Sequence, residues 1–120
     1  MAAQYQLFNH LKIKNMNLPN VIVALTNAQN SFDSVAYANC FSETAVVFDE
    51  GKTHKGKTEI QQWIEKANEE YQAVMKPVEY AATEEVLKAE VSGNFPGSPI
   101  VLSYHFKLQD GLIESLKITG

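Results

Sequence analysis

Asp49 is the residue of this sequence whose position best suits acid–base chemistry. It closes the apolar run Ala45–Phe48 and is followed at once by the turn-like stretch Glu50–Lys52. Side chains of a strand alternate between its two faces, so Asp49 shares a face with Ala45 and Val47. If that face is the core, burial raises the pKa of the carboxyl group and makes Asp49 a poised acid or base.

Two further polar side chains interrupt apolar strand faces near the C-terminus. The inner phase of one predicted strand is Ile100, Leu102, Tyr104, Phe106 and Leu108. The inner phase of the next is Leu112, Glu114, Leu116 and Ile118. A buried hydroxyl or carboxylate without a partner costs a few kcal/mol or more, so Tyr104 and Glu114 each need a partner if they are buried.

The elements that position these residues follow from hydrophobic periodicity. Apolar residues at helical spacing predict a first helix over 18–29, a short second helix over 35–41 capped by Asp33 or Ser31, and a third helix that begins at Lys57 or Thr58. Period-two stretches predict strands over 45–49, 74–80, 85–92, 100–108 and 112–118. Asp110 and Gly111 give the strongest hairpin signal, and 51–56 is interpreted as a lysine-rich turn. Helices followed by a largely antiparallel sheet define an α+β fold.

Composition indicates one globular domain. The chain has 120 residues, 45% hydrophobic and 20% charged, and we divide it into an N-terminal extension over 1–17 and a single domain over 18–120. The N-terminal stretch lacks the apolar core of a signal peptide, and no run approaches the roughly 18 apolar residues of a membrane span. We therefore expect a soluble, cytoplasmic protein. Cys40 is the only cysteine, which excludes an internal disulfide.

Charge and histidine content argue against several functions. All ten basic residues are lysines and the net charge is −4, so a nucleic-acid partner is not expected. His10, His54 and His105 are scattered, which argues against a metal site, and His105 falls on the polar face of its strand. The sequence contains no phosphate-binding loop and no nucleophile elbow. Any chemistry is expected to need no cofactor.

Four short stretches, taken in order, give the sequence a family resemblance. They are Ser31–Ser34, Phe41–Asp49, Gly56–Ile60 and Asp110–Ile113. In this order and spacing the sequence resembles the nuclear transport factor 2-like superfamily, particularly its SnoaL-like polyketide cyclase and ketosteroid isomerase branch. The resemblance implies a cone-shaped, cystatin-like α+β barrel, in which N-terminal helices pack in a strongly curved, mostly antiparallel sheet.

The resemblance also implies an apolar pocket at the open end of the cone, which takes a small hydrophobic ligand. Isomerases of this branch use an aspartate at the end of the first strand as the base, and the spacing places Asp49 there. Their oxyanion hole uses a first-helix tyrosine and a late-strand aspartic acid, where this sequence has Leu25 and Tyr104. This departure argues against steroid isomerisation and leaves Asp49 and Tyr104 as the predicted catalytic pair. The predicted pocket residues are Leu25, Gln29, Phe41, Trp63, Ile64, Leu102, Phe106, Glu114 and Leu116.

Two functions from different classes fit these residues. The first is a cofactor-independent isomerase, cyclase or hydratase, in which Asp49 takes a proton from carbon and Tyr104 stabilises the enolate oxygen. The second is a non-catalytic ligand-binding or dimeric assembly module of the same fold. In this superfamily the outer sheet face commonly pairs with a second subunit, which implies a homodimer. The outer-face residues predicted for it are Val101, Ser103, His105, Ile113 and Ser115.

Overall fold

A computed structural model describes residues 16–120 of the chain. Within this part, three helices are present: α1 is Asn20–Asn30, α2 is Ser34–Ala38 and α3 is Gly56–Tyr71. The α+β class is confirmed, and each helix lies close to its predicted range. Residues 1–15 of the predicted N-terminal extension, including His10, lie outside the described residues.

Six strands of the described residues form one curved sheet that packs against the helices. The strands are β1 (Phe41–Asp49), β2 (Lys52–Lys55), β3 (Val74–Ala81), β4 (Val86–Ser92), β5 (Ile100–Gln109) and β6 (Leu112–Thr119). Their order across the sheet is β2-β1-β6-β5-β4-β3. Strands β1 and β6 are parallel, and every other neighbouring pair is antiparallel. The largely antiparallel sheet was predicted correctly, apart from this central parallel pair.

Strand β2 was not predicted, because its sequence is rich in lysine and was interpreted as a turn. Lys52 pairs with Asp49 and His54 pairs with Val47 across a tight hairpin. Glu50 and Gly51 both have positive φ, 51° and 74°, as a two-residue type I′ turn requires. Lysines are common on edge strands, where their charge opposes pairing with another chain. His54 therefore lies on a strand and shares the inner face of the hairpin with Val47 and Asp49.

The second helix is shorter than predicted, and β1 is longer. The Asp33 side chain accepts a hydrogen bond from the Ala36 N–H (3.0 Å) and so fixes the start of α2. The helix ends at Ala38, and Phe41 opens β1 by pairing with Ile113. The prediction placed Phe41 at the end of the helix and began the strand only at Ala45. Residues 42–44 are all polar and do not alternate with apolar residues, so the first half of the strand was not predicted.

The inner face of the sheet follows the predicted phase on β5 and departs from it on β6. Tyr104 and Phe106 are buried on β5, as expected. On β6, Ile113 and Leu116 are fully buried, whereas Leu112 is exposed. The register between β5 and β6 shifts at Lys107 and Leu108, and such a bulge reverses the alternation of side chains. The predicted inner position of Glu114 and the predicted outer position of Ile113 are therefore wrong.

Helix α3 closes the open side of the sheet. Its first turn is held by Glu59, whose Oε1 accepts a hydrogen bond from the Lys55 N–H (2.8 Å). Ile60 and Ile64 pack into the core, and Asn68 is buried one turn later. No helix within residues 16–120 is long and apolar enough to cross a membrane.

Candidate functional site

A cavity of about 690 Å³ lies between α3 and the inner face of the sheet. Its volume is within the range of small-molecule sites in proteins. The aromatic side chains of Trp63, Tyr71 and Phe95 form part of its wall. Tyr71 and Phe95 meet edge to face with ring centroids 6.4 Å apart, and this contact joins the end of α3 to the β4–β5 loop. The cavity is therefore bounded by both layers of the fold.

Asp49 lies on the wall of this cavity. It shares the inner face of β1 with Ala45 and Val47, both fully buried, so its carboxylate extends an apolar surface. Partial burial, and secondly the negative charge of Glu50, raise the pKa of Asp49 from 3.8 to about 6. A carboxylate with this pKa is ionised at neutral pH and is a stronger base than an ordinary aspartate.

Tyr104 also lines the cavity, and the sheet register fixes its relation to Asp49. Phe48 pairs with Lys117 in the parallel β1–β6 ladder, so Asp49 is level with Ile118, and Ile118 pairs with Tyr104. Asp49 and Tyr104 therefore flank Ile118 in one row, with their backbones two strand spacings, roughly 10 Å, apart. Burial, and secondly the charge of Asp49, raise the pKa of the Tyr104 phenol, which stays protonated and can donate a hydrogen bond.

Tyr37 is a third member of this group that the sequence analysis did not single out. It lines the cavity from α2, is 2% exposed, and its ring packs against Phe41 (5.6 Å between centroids) and Trp63 (6.1 Å). Burial raises its pKa well above the usual value, and electrostatic interactions with Tyr104 and Asp49 act in the same direction. The sequence signal was the single phenol on the apolar face of α2, which helical periodicity alone assigns to the core.

His54 forms the edge of the cavity together with Trp63. The two rings stack with centroids 5.1 Å apart. Burial lowers the pKa of His54, and Lys52 lowers it further, while Glu59 acts in the opposite direction. His54 is therefore a mainly neutral aromatic group at neutral pH. The sequence predicted a turn at this position, because the lysines of β2 do not show the pattern of a strand.

Gln29 lies elsewhere on the cavity wall, next to Asn68. The Gln29 Nε2 donates hydrogen bonds to the Ala73 carbonyl (2.7 Å) and to the Asn68 Oδ1 (3.2 Å). Asn68 was not among the predicted site residues, because α3 appeared to bury only its apolar stripe. Trp63, Ile64 and Leu102, which were predicted at the pocket, also line the cavity.

The remaining predicted pocket residues lie away from the cavity. Leu25, Phe41, Phe106 and Leu116 belong to the hydrophobic core behind the wall. Glu114 faces away from the core and accepts hydrogen bonds from the hydroxyls of Ser42 and Thr44, which lower the pKa of its carboxyl group. Phase alone cannot separate core from cavity wall, because both are apolar and inward-facing. For Glu114, the bulge on β6 reversed the expected side.

The described residues contain no group of three or more histidine, cysteine, aspartate or glutamate side chains that could hold a metal ion. The polar groups at the cavity that are buried or partly buried are the Asp49 carboxylate, the phenols of Tyr37, Tyr71 and Tyr104, the His54 ring and the side-chain amides of Gln29 and Asn68, while exposed carboxylates and lysines lie at its edge. This set suits the transfer of a proton to or from an uncharged organic molecule.

The unusual pKa of Asp49 predicts a pH-dependent gain in stability for Asp49→Asn. Because the folded-state pKa is raised, the wild type loses stability as pH rises from about 3.8 to about 6, and the cost is complete above that range. The variant has no charge to bury, so it should be more stable than the wild type at pH 8 by on the order of 1 kcal/mol, after allowance for solvent screening of a half-buried group.

Urea unfolding of the wild type and of Asp49→Asn at pH 4 and pH 8 checks this prediction. The difference should be much smaller at pH 4. Asp110→Asn, in the exposed β5–β6 turn, is the matched control. Equal differences at the two pH values would contradict the assigned burial of the carboxylate.

Solved structures of several proteins are similar to this chain. A candidate polyketide cyclase from Sinorhizobium meliloti is 36% identical with a TM-score of 0.80, and the match covers 87% of this chain and 97% of that one. A protein of ketosteroid isomerase-like fold from Catenulispora acidiphila, in complex with trimethylamine, is 17% identical with a TM-score of 0.76, covering 87% of each chain. A nuclear transport factor 2-like protein of unknown function from Cytophaga hutchinsonii is 16% identical with a TM-score of 0.67, covering 83% of this chain and 86% of that one.

The similarity to the Sinorhizobium protein identifies the family. No protein-family model and no curated protein matches the sequence. The identity and near-complete coverage of the Sinorhizobium protein, together with the shared fold, nevertheless show that this chain belongs to the SnoaL-like group of the nuclear transport factor 2-like superfamily. The resemblance recognised from the sequence is thus confirmed.

Proposed function

We propose that the chain binds a small hydrophobic carbonyl compound in the cavity and transfers a proton at the carbon next to the carbonyl. The observation that carries this proposal is that Asp49 and Tyr104 line one cavity, flanking Ile118. A planar ligand lying over Ile118 would have a carboxylate on one side and a phenol on the other. Isomerisation, aldol-type cyclisation and hydration all use such a pair.

The roles follow from the two environments. The Asp49 carboxylate takes the proton from carbon, and the electrons of the broken C–H bond move to the carbonyl oxygen to give an enolate. Tyr104, whose pKa is raised by burial, remains a neutral donor and stabilises that oxygen by a hydrogen bond. Tyr37 supplies a second phenol nearby. Protonated Asp49 then returns the proton to the same or a neighbouring carbon, so no cofactor is required.

The pH dependence of catalysis tests the base directly. The probe is 2-tetralone, a hydrophobic ketone with acidic α-hydrogens, and the measurement is enzyme-dependent exchange of those hydrogens with deuterium from solvent, followed by NMR. Because the base must be ionised, kcat/KM should rise with pH and reach half its plateau near pH 6, the pKa of Asp49. A profile that is flat between pH 4 and pH 8 would contradict the assignment.

We also propose a homodimer through the outer face of the sheet. Phe48 and Val101 are 42% and 53% exposed there, and the mixed surface around them includes His105 and Thr119, whose side chains are hydrogen bonded (3.0 Å). Ile113 does not contribute, since it is fully buried. Sedimentation equilibrium should give twice the chain mass, and Val101→Glu should shift the protein towards monomer. A monomer at all concentrations would exclude this interface.

A further inference from the structure

The cavity wall carries a polar pair that the proton-transfer mechanism does not use. Gln29, in the last turn of α1, and Asn68, in the last turn of α3, are 9% and 8% exposed. Both line the cavity. Buried amide side chains are normally fully hydrogen bonded. An amide group of this pair that has no protein partner is therefore a candidate for binding a ligand.

The hydrogen bonds determine which groups of the pair remain available. A backbone carbonyl can only accept, so the 2.7 Å contact with Ala73 identifies the Gln29 atom as Nε2. Nε2 is then also the donor to Asn68, which identifies the Asn68 atom as Oδ1. The Gln29 Oε1 acceptor and the Asn68 Nδ2 donor are left over. Neither has a hydrogen-bond partner among residues 16–120.

Gln29 and Asn68, which carry these two leftover groups, both line the cavity. No buried side-chain nitrogen or oxygen of the described residues lacks a hydrogen-bond partner, which agrees with the Gln29 Oε1 and the Asn68 Nδ2 being accessible from the cavity. The neighbouring Asn30 is a useful contrast, because its side chain already brackets the N–H and the carbonyl of Met75 at 2.8 and 3.0 Å. Asn30 thus links α1 to β3 through hydrogen bonds of both its oxygen and its nitrogen. Gln29 and Asn68 instead each have one polar atom without a partner among the described residues.

We infer that Gln29 and Asn68 form a second polar subsite, which binds a ligand group carrying a hydrogen-bond donor beside an acceptor, such as a carboxamide or a hydroxyl. The donor of the ligand meets the Gln29 Oε1, and its acceptor meets the Asn68 Nδ2. This inference rests on the proposed function for the identity of the cavity as a ligand site. The substrate class is then a bifunctional hydrophobic molecule, with its reacting carbonyl between Asp49 and Tyr104 and a carboxamide or hydroxyl at the amide pair.

Equilibrium binding of two shape-matched probes tests the subsite without any turnover. The probes are 2-naphthamide, which carries a donor and an acceptor, and 2-ethylnaphthalene, which carries neither, each titrated by its own fluorescence. The measured quantity is the ratio of the two dissociation constants. Asn68→Leu removes the Nδ2 donor and leaves Gln29 facing an apolar side chain, so the preference for the amide should fall by roughly 3–10-fold, as expected for one neutral hydrogen bond.

Two control variants localise the effect. Gln62→Leu alters an exposed amide at the edge of the same cavity, and Tyr104→Phe alters the other polar site. Both should keep the wild-type ratio. An unchanged ratio in Asn68→Leu, or a loss of preference in Tyr104→Phe instead, would overturn the inference. Because the measurement is binding and not turnover, its outcome is independent of the pH profile of 2-tetralone exchange that tests the proposed function.

If Asn68→Leu does not fold, an NMR titration of the wild type tests the same subsite. The side-chain amide signals of Gln29 and Asn68 in ¹H–¹⁵N NMR spectra should shift on addition of 2-naphthamide and should not shift on addition of 2-ethylnaphthalene, which has no polar group. Equal shifts with both probes would mean that the amide pair only braces α1 against α3.

Discussion

Replacing Asp49 with asparagine is expected to reduce kcat/KM for the deuterium exchange of 2-tetralone by roughly 10²–10⁴-fold, the usual contribution of a positioned general base. Asparagine has almost the shape of aspartate and cannot accept the proton. The cavity should therefore keep its form and its affinity for the ketone while the chemical step is lost. A reduction in kcat with KM nearly unchanged is the expected signature.

Glu70→Gln is the matched control for this substitution. It makes the same chemical change to an exposed residue that lines the same cavity, on α3. Its exchange rate should equal that of the wild type. If Asp49→Asn exchanges 2-tetralone at the wild-type rate, the assigned base is wrong. If the wild type binds the ketone but never exceeds the uncatalysed rate, the non-catalytic ligand-binding module is the better account.

Replacing Tyr104 with phenylalanine is the second substitution with a large expected effect. Removing one donor to a developing oxyanion typically costs 10²–10³-fold in kcat. Because the phenol of Tyr37 remains nearby, we expect a loss of about 10²-fold, at the lower end of this range. The ring itself should stay in place, since Tyr104 stacks on Phe106 with centroids 6.3 Å apart and is 6% exposed. The loss should thus come from the hydroxyl and not from repacking.

Tyr80→Phe provides the comparison for Tyr104→Phe. Tyr80 lies on β3, is partly buried against the core and does not line the cavity, so the same loss of a hydroxyl should leave exchange unchanged. The acid side of the pH profile should keep its midpoint near 6 in Tyr104→Phe if Asp49 remains the base. A wild-type rate in Tyr104→Phe would remove the phenol from the mechanism.

Much of the fold could be predicted because local pattern and tertiary structure agree. The apolar stripes of α1 and α3 and the alternation along β4 and β5 each match the buried faces. Asp49 could be singled out for the same reason, since alternation along β1 is regular from Ala45 onward. Where one face of a strand is continuous core, the period of two assigns each side chain to its side.

The errors arose where an irregular feature decided the result. The bulge between β5 and β6 places Ile113 on the inner face of the sheet and Glu114 on the outer face, the reverse of the prediction. No residue of the hairpin predicts this bulge. Strand β2 was concealed by its lysines. Tyr37 and Asn68 were missed because the walls of a cavity and the interior of a core have the same apolar pattern. Which inward-facing groups meet open space depends on how α2, α3 and the sheet pack together, and that information is tertiary.

The central claim is that Asp49 and Tyr104 act on one bound molecule. A crystal structure with 2-naphthol, the aromatic analogue of the enol of 2-tetralone, tests it most directly. The naphthol oxygen should lie about 2.7–3.1 Å from the Tyr104 hydroxyl, with the ring carbon next to it facing the Asp49 carboxylate over Ile118. Naphthol bound with its oxygen away from Tyr104, or outside the cavity, would contradict the account.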